Sequence, residues 1–363
     1  MDVQEEIKQI EDEIKRTKYN KATQFHIGKL KAKLAKLRQE LQKRTEGKGG
    51  LGYGLKKEGD ATVLLVGFPS VGKSTLLNRM TRADSKIGDY DFTTLNVIPG
   101  VMEYNGAKIQ VLDIPGVVEG AAEGKGRGKE VLSVVRNADL VLIMIDASDA
   151  DRAMMQLKVI EDELYKAGFR LNQKPPDVVI KKRNSGGINA GSALKLTKMS
   201  IDGVKSMVRE FRINNADVTI RDDISQDQLI DAIMGNRIYV PAIIVANKTD
   251  IAKDIGNFRK IRNCIPVSAL DGFNIDRLKE MIWSELELIR VYMKKSGRKP
   301  DMDEPLIVKK GSGIREICLK IHKDFEKKFR FARVWGSGRF PGQKVGLGYV
   351  LRDNDIVELH IGK

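Results

Sequence analysis

A chain of 363 residues is more than twice the usual domain size, so two to four units are expected, each large enough to bury its own core. Its 64 Lys and Arg outnumber 49 Asp and Glu, giving a formal net charge of +15 and a pI near 9.5, an excess that points to an anionic partner. With 41% apolar and 31% charged residues, and no apolar run near the roughly 18 residues of a spanning helix, the composition excludes a disordered chain and gives no sign of a membrane segment. The acidic start Met1-Asp2-Val3-Gln4-Glu5-Glu6 lacks the apolar stretch of a secretory signal. Two distant cysteines, Cys264 and Cys318, frame neither disulfides nor a metal knuckle. A cytoplasmic location without membrane attachment is expected.

Along the chain, Ile7, Ile10 and Ile14, then Leu30, Leu34, Leu37 and Leu41, recur at helical spacing and predict a helical hairpin within residues 1–46. Between Ile14 and Arg44 eleven Lys or Arg stand against one acid, Glu40. A charge run alone usually marks a solvated helix face. Gly47, Gly49, Gly50, Gly52 and Gly54 predict a flexible link. From Ala61 onward, short apolar strands at 63–66, 108–112, 140–145, 242–246 and 264–267 alternate with helical stretches. Near-continuous apolar strands belong in a mainly parallel sheet with helices on both faces, an α/β fold. Residues 168–237 break this rhythm with Pro175-Pro176, a strand-like stretch at 178–183 and helix-like stretches at 202–211 and 226–234, predicting an inserted α+β subdomain. The α/β domain then occupies 60–167 and 238–293, closing with a helix expected over 283–293. A basic segment leads to a tail domain at 297–363.

Four motifs carry chemistry. Gly67-Phe68-Pro69-Ser70-Val71-Gly72-Lys73-Ser74 matches G-x-x-x-x-G-K-S between a strand and the helix opening at Thr75. Its glycines let backbone N–H groups wrap a β-phosphate, Lys73 would bridge the β- and γ-phosphates, and the Ser74 hydroxyl would ligate Mg²⁺. Asp113-Ile114-Pro115-Gly116 closes the next strand: Asp113 would hold Mg²⁺ through a water and the Gly116 N–H would sense a γ-phosphate. Between them Asp91-Phe92-Thr93-Thr94 offers a threonine hydroxyl to Mg²⁺ and an N–H to the γ-phosphate. Alone, Thr93-Thr94 would be an ordinary surface pair; its place between the flanking motifs raises it.

The fourth motif, Asn247-Lys248-Thr249-Asp250, follows an apolar strand as N-K-x-D should. The Asp250 carboxylate can accept from guanine N1–H and the 2-amino group, whereas adenine offers the opposite pattern and leaves the acid unpaired. That difference is on the order of several kcal/mol. Asn247 would reach the other base edge, the Lys248 stem would pack on the base plane, and Ser268-Ala269-Leu270 would give an N–H to guanine O6. The ordered set predicts GTP or GDP with Mg²⁺.

These residues resemble a known family. The phosphate loop, Phe92-Thr93-Thr94-Leu95 and Asp113-Ile114-Pro115-Gly116-Val117-Val118-Glu119-Gly120-Ala121 look like the Obg-type GTPases. Arg170-Leu171-Asn172, Pro175-Pro176, Asn215-Ala216-Asp217-Val218-Thr219, Gly235-Asn236-Arg237 and Val240-Pro241 are similar, more narrowly, to the DRG branch, the developmentally regulated GTP-binding proteins. Ile321-His322-Lys323, Ala332-Arg333-Val334-Trp335-Gly336 and Gln343-Lys344-Val345-Gly346 resemble a TGS domain, a β-grasp fold. The length and layout suit an archaeal member.

The resemblance implies GTP binding and slow hydrolysis linked to ribosomes and translation, often with a dedicated partner protein. Ser74 and Thr94 would be Mg²⁺ ligands, Lys73 and Gly116 phosphate contacts, and Asn247 and Asp250 the guanine readers. Potassium-activated relatives have Asn where this chain has Ser70, so K⁺ activation is left open. Val117 stands where Ras-like proteins place the water-orienting glutamine, predicting a low intrinsic rate. The glycine run Gly120, Gly124, Gly126 and Gly128 reads equally as a loop that orders on GTP or as a solvated one. Two other readings compete: a ribosome- or RNA-bound scaffold with structural GTP, and an Obg-like ribosome-assembly factor, against which the tail and insert argue. The free chain is expected to be monomeric. His26, His322 and His360 lack ligand partners at metal spacing, and Trp283 and Trp335 read as core or interface anchors. The opening charge is concentrated at the two ends of the chain, which makes ribosomal RNA the expected polyanion.

Overall fold

A computed structural model describes residues 3–18, 20, 23–45, 59–81, 98–113 and 138–362. The chain divides into two compact units, Met1–Gly52 with Gly168–Tyr239, and Tyr53–Ala167 with Val240–Lys363.

Helices α1 (Val3–Arg16) and α2 (Gln24–Thr45) form the expected hairpin. Glu5 and Glu6 lie in the first turn of α1 and Lys15 and Arg16 in its last, the signs the helix dipole favours. The glycine link after α2 lies outside the described residues.

Strand β1 (Ala61–Gly67) leads into the phosphate loop and helix α3 (Lys73–Met80). β2 (Ile98–Tyr104) and β3 (Ala107–Asp113) form a hairpin whose two-residue turn, Asn105-Gly106, has both φ angles positive, 51° and 79°. Asn-Gly tolerates that backbone, so this turn type follows from the sequence. β4 (Leu140–Asp146) and α4 (Ala150–Lys166, capped by the Asp149 side chain) complete the first half.

The insert then begins. β5 (Phe169–Leu171) pairs with β9 (Ile238–Val240), so the two chain crossings of the insert lie side by side. Between them a three-stranded sheet of β6 (Val178–Lys182), β8 (Ala216–Ile220) and β7 (Ile188–Ser192), in that order, packs against α5 (Ile201–Glu210) and α6 (Gln226–Met234). Ile188, Val204, Met207, Val218 and Leu229 form its core, and Ala35 of α2 joins them. The helical hairpin, expected as a separate region, therefore belongs to the same compact unit as the insert. Ion pairs supplement this small apolar contact: Lys31 to Asp227 (2.6 Å), and within the hairpin Lys33 to Glu6 (2.7 Å) and Arg38 to Glu11 (2.6 Å). The basic run of α2 is thus partly neutralised by the unit's own acids.

On return, β10 (Ala242–Asn247) and β11 (Cys264–Pro266), separated by the short α7 (Gly256–Arg259), complete a six-stranded sheet of order β11-β10-β4-β1-β3-β2. All its pairings are parallel except that of β2 with β3. Val63, Leu65, Leu142, Met144 and Val245 meet Leu76 and Met80 of α3 and Leu278 and Ile282 of α8 (Ile275–Glu285) in one core. Burial on both faces explains the unbroken apolar strands.

The helix expected over 283–293 stops at Glu285. Glu287 turns through the left-handed region (φ 49°), and β12 (Leu288–Met293) follows. Its apolar run is compatible with helix or strand, and pairing decides: β12 lies between β13 (Leu306–Lys309) and β16 (Asp355–Ile361). The tail fold accordingly starts at β12, earlier than residue 297. Its sheet, β13-β12-β16-β14-β15 with β14 (Phe329–Trp335) and β15 (Gln343–Val345), packs one face on α9 (Ile314–Ile321) through Val291, Ile317, Cys318, Ala332, Val334 and Val357. A short α10 (Phe325–Lys328) precedes β14.

Candidate functional site

The motifs gather where topology favours a ligand. β1 lies between β3 and β4, and in such sheets the crevice beyond the carboxyl ends of the strands binds the ligand. β1 ends at Gly67, β3 at Asp113, β4 at Asp146, β10 at Asn247, and β11 runs into Ser268.

Backbone constraints build the phosphate loop. Ser70 has φ 61° and Gly72 φ 94°, both left-handed. A Cβ on Gly72 would fall 2.4 Å from Asn247 Nδ2, and one on Gly67 would fall 2.8 Å from the Met144 carbonyl oxygen. Val71 is buried and pins the loop, while Phe68 is half-buried and Pro69 exposed. Helix α3 has no side-chain cap at Gly72, so its first N–H groups face the loop without an intramolecular side-chain acceptor. Lys73 Nζ donates to the Gly67 and Phe68 carbonyls at 2.9 and 3.0 Å, folded over the cradle an anion would fill. Ser74 and Thr75 are exposed on the first turn.

Beside the loop, Asp113 is 3% exposed, and its Oδ1 has no hydrogen-bond partner. The Ser74 hydroxyl lies 3.5 Å from Oδ2. Burial raises the Asp113 carboxyl above its ordinary value, against the opposing pull of Lys73 and of Ser74. An orphaned buried carboxylate oxygen next to a hydroxyl is a donor set that suits a hard cation such as Mg²⁺. Thr93, Thr94, Ile114, Pro115, Gly116, Val117 and the glycine run after it lie outside the described residues.

At the other end, Asn247 is buried and committed to backbone. Its Nδ2 donates to the Val71 carbonyl (2.8 Å) and its Oδ1 accepts from the Ala269 N–H (2.9 Å). The side chain thereby ties the phosphate loop to the Ser268 loop, a role beyond the base-edge contact expected from the sequence, and one amide hydrogen is left over. Asp250 is exposed, and its Oδ1 accepts from the Ser268 hydroxyl at 2.8 Å. Only a base lying over Asp250 would desolvate it, so the cost of a mismatched base arises on binding. Thr249 is held by an N–H bond to the Val267 carbonyl (3.2 Å). Ala269 is buried and Leu270 is 67% exposed.

Two contributors escaped the sequence reading. The first is Asp146, whose Oδ2 accepts from Lys248 Nζ at 2.6 Å, with Lys248 itself at φ 69°. Burial would raise the Asp146 carboxyl, but the hydrogen bonds from Lys248 and Ser148 hold it below its ordinary value. Its sequence signal is an acid at the carboxyl end of a central strand, in register with Asn247. The second is Arg79 of α3, which donates from Nε to the Ala269 carbonyl (3.2 Å) and from its guanidinium to the Leu270 carbonyl.

Comparison with known proteins agrees with this arrangement. Residues 62–182 match the model of the 50S ribosome-binding GTPase family, 185–288 that of the C-terminal region of the same domain type, and 289–361 that of the TGS domain. Fold and site together define a P-loop GTPase with a TGS domain at its carboxyl end. An uncharacterised GTP-binding protein of Methanocaldococcus jannaschii is 52% identical, covering 99% of this chain and 93% of its own length. Developmentally-regulated GTP-binding protein 1 of Xenopus laevis is 44% identical (97% of each chain), and developmentally-regulated GTP-binding protein 2 of Homo sapiens 42% (99% of each). The chain belongs to the developmentally regulated GTP-binding protein family, and it is a GTP hydrolase. The solved Schizosaccharomyces pombe YchF GTPase overlays with a TM-score of 0.45 at 16% identity, over 84% of this chain and 99% of that one.

Proposed function

We propose that this GTPase is a slow switch acting at the ribosome, with GTP bound along the strand ends and hydrolysis accelerated by a ribosomal or protein partner. The carrying observation is that Lys73, Ser74, Asp113, Asn247, Asp250 and Ser268 line the same edge of one sheet, while the excess of basic residues lies in the terminal regions. GTP does not need that excess; ribosomal RNA would. The description of the family matching residues 62–182 as ribosome-binding supports the same reading.

In this proposal the 67–75 loop and Lys73 hold the β- and γ-phosphates, Thr94 and Gly116 report the γ-phosphate, and Lys248 covers the base while Asp250 and the Ser268-Ala269-Leu270 backbone read it. Ser74 and Thr94, with Asp113 through a water, would hold Mg²⁺, which supplies charge neutralisation between the β- and γ-phosphates. Val117 cannot orient an attacking water, so the chain relies on a group supplied from outside, and a supplied arginine can be worth about 10³ to 10⁵ in rate. The cytoplasm is the proposed location, and an archaeal source fits the higher identity of the archaeal relative.

Two measurements test the reading. Single-turnover hydrolysis, in K⁺ and in Na⁺, should be slow alone and accelerate with ribosomes; no acceleration in either salt favours the scaffold reading instead. Ribosome co-sedimentation with GTP, GDP and a non-hydrolysable analogue should depend on the nucleotide and weaken with salt, and binding indifferent to both contradicts the switch.

A further inference from the structure

The TGS sheet has a second face. Directly opposed residues share a face. The register sets Phe331 opposite His360, Arg333 opposite both Glu358 and Lys344, and Trp335 opposite Ile356, which is itself opposite Tyr292. Their neighbours Ala332, Val334 and Val357 lie in the core against α9, so these side chains point the other way. The outer face therefore runs in rows: aromatic at Tyr292 and Trp335, charged at Lys294, Arg333 and Lys344 around Glu358, and aromatic again at His360 and Phe331. The two aromatic rows stand roughly 13 Å apart along the strands.

Contacts within the rows define their chemistry. Phe331 and His360 stack with centroids 4.2 Å apart at 16°. Lys344 Nζ lies 4.3 Å from the Phe331 ring centroid and Lys294 Nζ 4.7 Å from that of Trp335. Neither Phe331, Trp335 nor Tyr292 is fully buried. Glu358 is buried and paired with Lys294 and His360, so the accessible charge of the face is positive. Gly342 lies against the indole, where a Cβ would come within 3.2 Å, and Phe340 of the same turn is 60% exposed.

A sheet face with half-buried rings set between ammonium and guanidinium groups is suited to stacking unpaired bases while its cations meet the phosphates. A lysine above a ring sits on a flexible four-carbon stem; it can yield the ring to a base and keep its charge for the neighbouring phosphate. A duplex presents no base faces to such a surface. The buried core of a protein–protein interface is depleted in charged residues, whereas here a charged row crosses the middle of the face.

We propose that this outer face of the TGS sheet is a stacking platform for an unpaired stretch of RNA, with Trp335 and Phe331 as the main base contacts and Lys294, Arg333 and Lys344 on the backbone. The proposal deepens the ribosomal reading above and rests on it.

The test uses the full chain bound to GDP and a labelled oligouridine of about 12 nucleotides, single-stranded or annealed to its complement. The single strand should bind more tightly. Trp335→Ala and Phe331→Ala should each weaken it about 5- to 100-fold, and Trp335→Tyr should stay within about threefold of the parent. The chain has two tryptophans, so in the Trp283→Phe variant Trp335 fluorescence should be quenched by the single strand and not by the duplex. A 4-thiouridine oligonucleotide should crosslink the unsubstituted protein within β14 or β16, a readout independent of how any variant folds. Equal binding of duplex and single strand, crosslinks confined elsewhere, or unchanged affinity in both alanine variants overturns the platform. Wild-type co-sedimentation with ribosomes but no oligouridine binding overturns the platform alone; absence of co-sedimentation overturns the ribosomal reading whatever the titration gives.

Discussion

Asn247 and Asp250 sit three residues apart in one motif, yet their contacts predict different defects. Among the described residues Asp250 accepts from Ser268 alone, so Asp250→Asn should leave the loops in place and reverse the donor pattern read by the base. Affinity for GTP should fall at least about 100-fold while xanthosine triphosphate gains, as measured by competition. Asn247→Ala removes both ties between the phosphate loop and the Ser268 loop, so guanine and xanthine nucleotides should weaken together. The motif was legible in sequence as N-K-x-D. The division of labour was not, because it depends on Val71 and Ala269 arriving from distant segments. Asp146 carries a pH signature. Its carboxyl lies below the ordinary value of 3.8, so its contribution to stability is complete above that value and lost as pH falls through the lower folded one. Asp146→Asn should flatten the acid limb of the stability profile below about pH 4, read by urea unfolding. Burial pushes the Cys264 thiol up to about 12, so this cysteine should resist Ellman's reagent in native protein at pH 8 and react once the chain is unfolded.

Among the elements, the paired crossings adjoin a buried ion-pair cluster made of Arg170 of β5, Asp231 of α6 and Arg237 just before β9. Arg170 grips Asp231 with Nε (2.5 Å) and a terminal nitrogen (2.7 Å), and Arg237 Nε adds a third bond at 2.9 Å. The Arg170 and Asp231 side chains are 4% and 2% exposed. Removing the acid leaves guanidinium groups buried without their partner, so Asp231→Ala should cost about 3–5 kcal/mol in denaturant unfolding. Asp231→Asn, which keeps the shape and some hydrogen bonds, should cost less. Element by element, the sequence was most informative where periodicity and burial agree. The strands expected at 63–66, 140–145 and 242–246 are present, as is the helix at 226–234, whose Ser225 and Gln228 form a capping box. It misled at 288–293, where Leu-Ile-Arg-Val-Tyr-Met fits either period and only pairing with β13 and β16 decides. It also passed over the Asn105-Gly106 turn, a local signal for the β2–β3 hairpin.

For the whole molecule, the +15 charge becomes a statement about distribution rather than amount. In the hairpin, Lys31, Lys33 and Arg38 already have acidic partners, so part of the surplus on α2 is spoken for. Among the described residues the cations of the TGS face have Glu358 alone to share. If the polyanion is ribosomal RNA, raising salt from 50 to 200 mM should weaken co-sedimentation by at least about tenfold, with 6–10 phosphate contacts capable of far more. Charge reversal at Lys344 should reduce that salt slope, whereas Lys31→Glu should chiefly lower the stability of the hairpin against the insert.

Order of synthesis gives the partnership between hairpin and insert a dimension of time. The basic helices leave the ribosome first, but Asp227 of α6 and the core residues Val204 and Leu229 emerge only after the phosphate loop and four strands of the six-stranded sheet. At ordinary elongation rates the interval between Thr45 and Asp227 lasts roughly 10–40 s. Throughout it the lysines of α2 have no acids from the insert to neutralise them while the growing chain stays tethered beside ribosomal RNA. The newborn hairpin therefore carries positive charge that the finished insert later neutralises in part. Completion of the insert withdraws part of that charge, and the Asn247 tie that closes the nucleotide site is translated only afterwards.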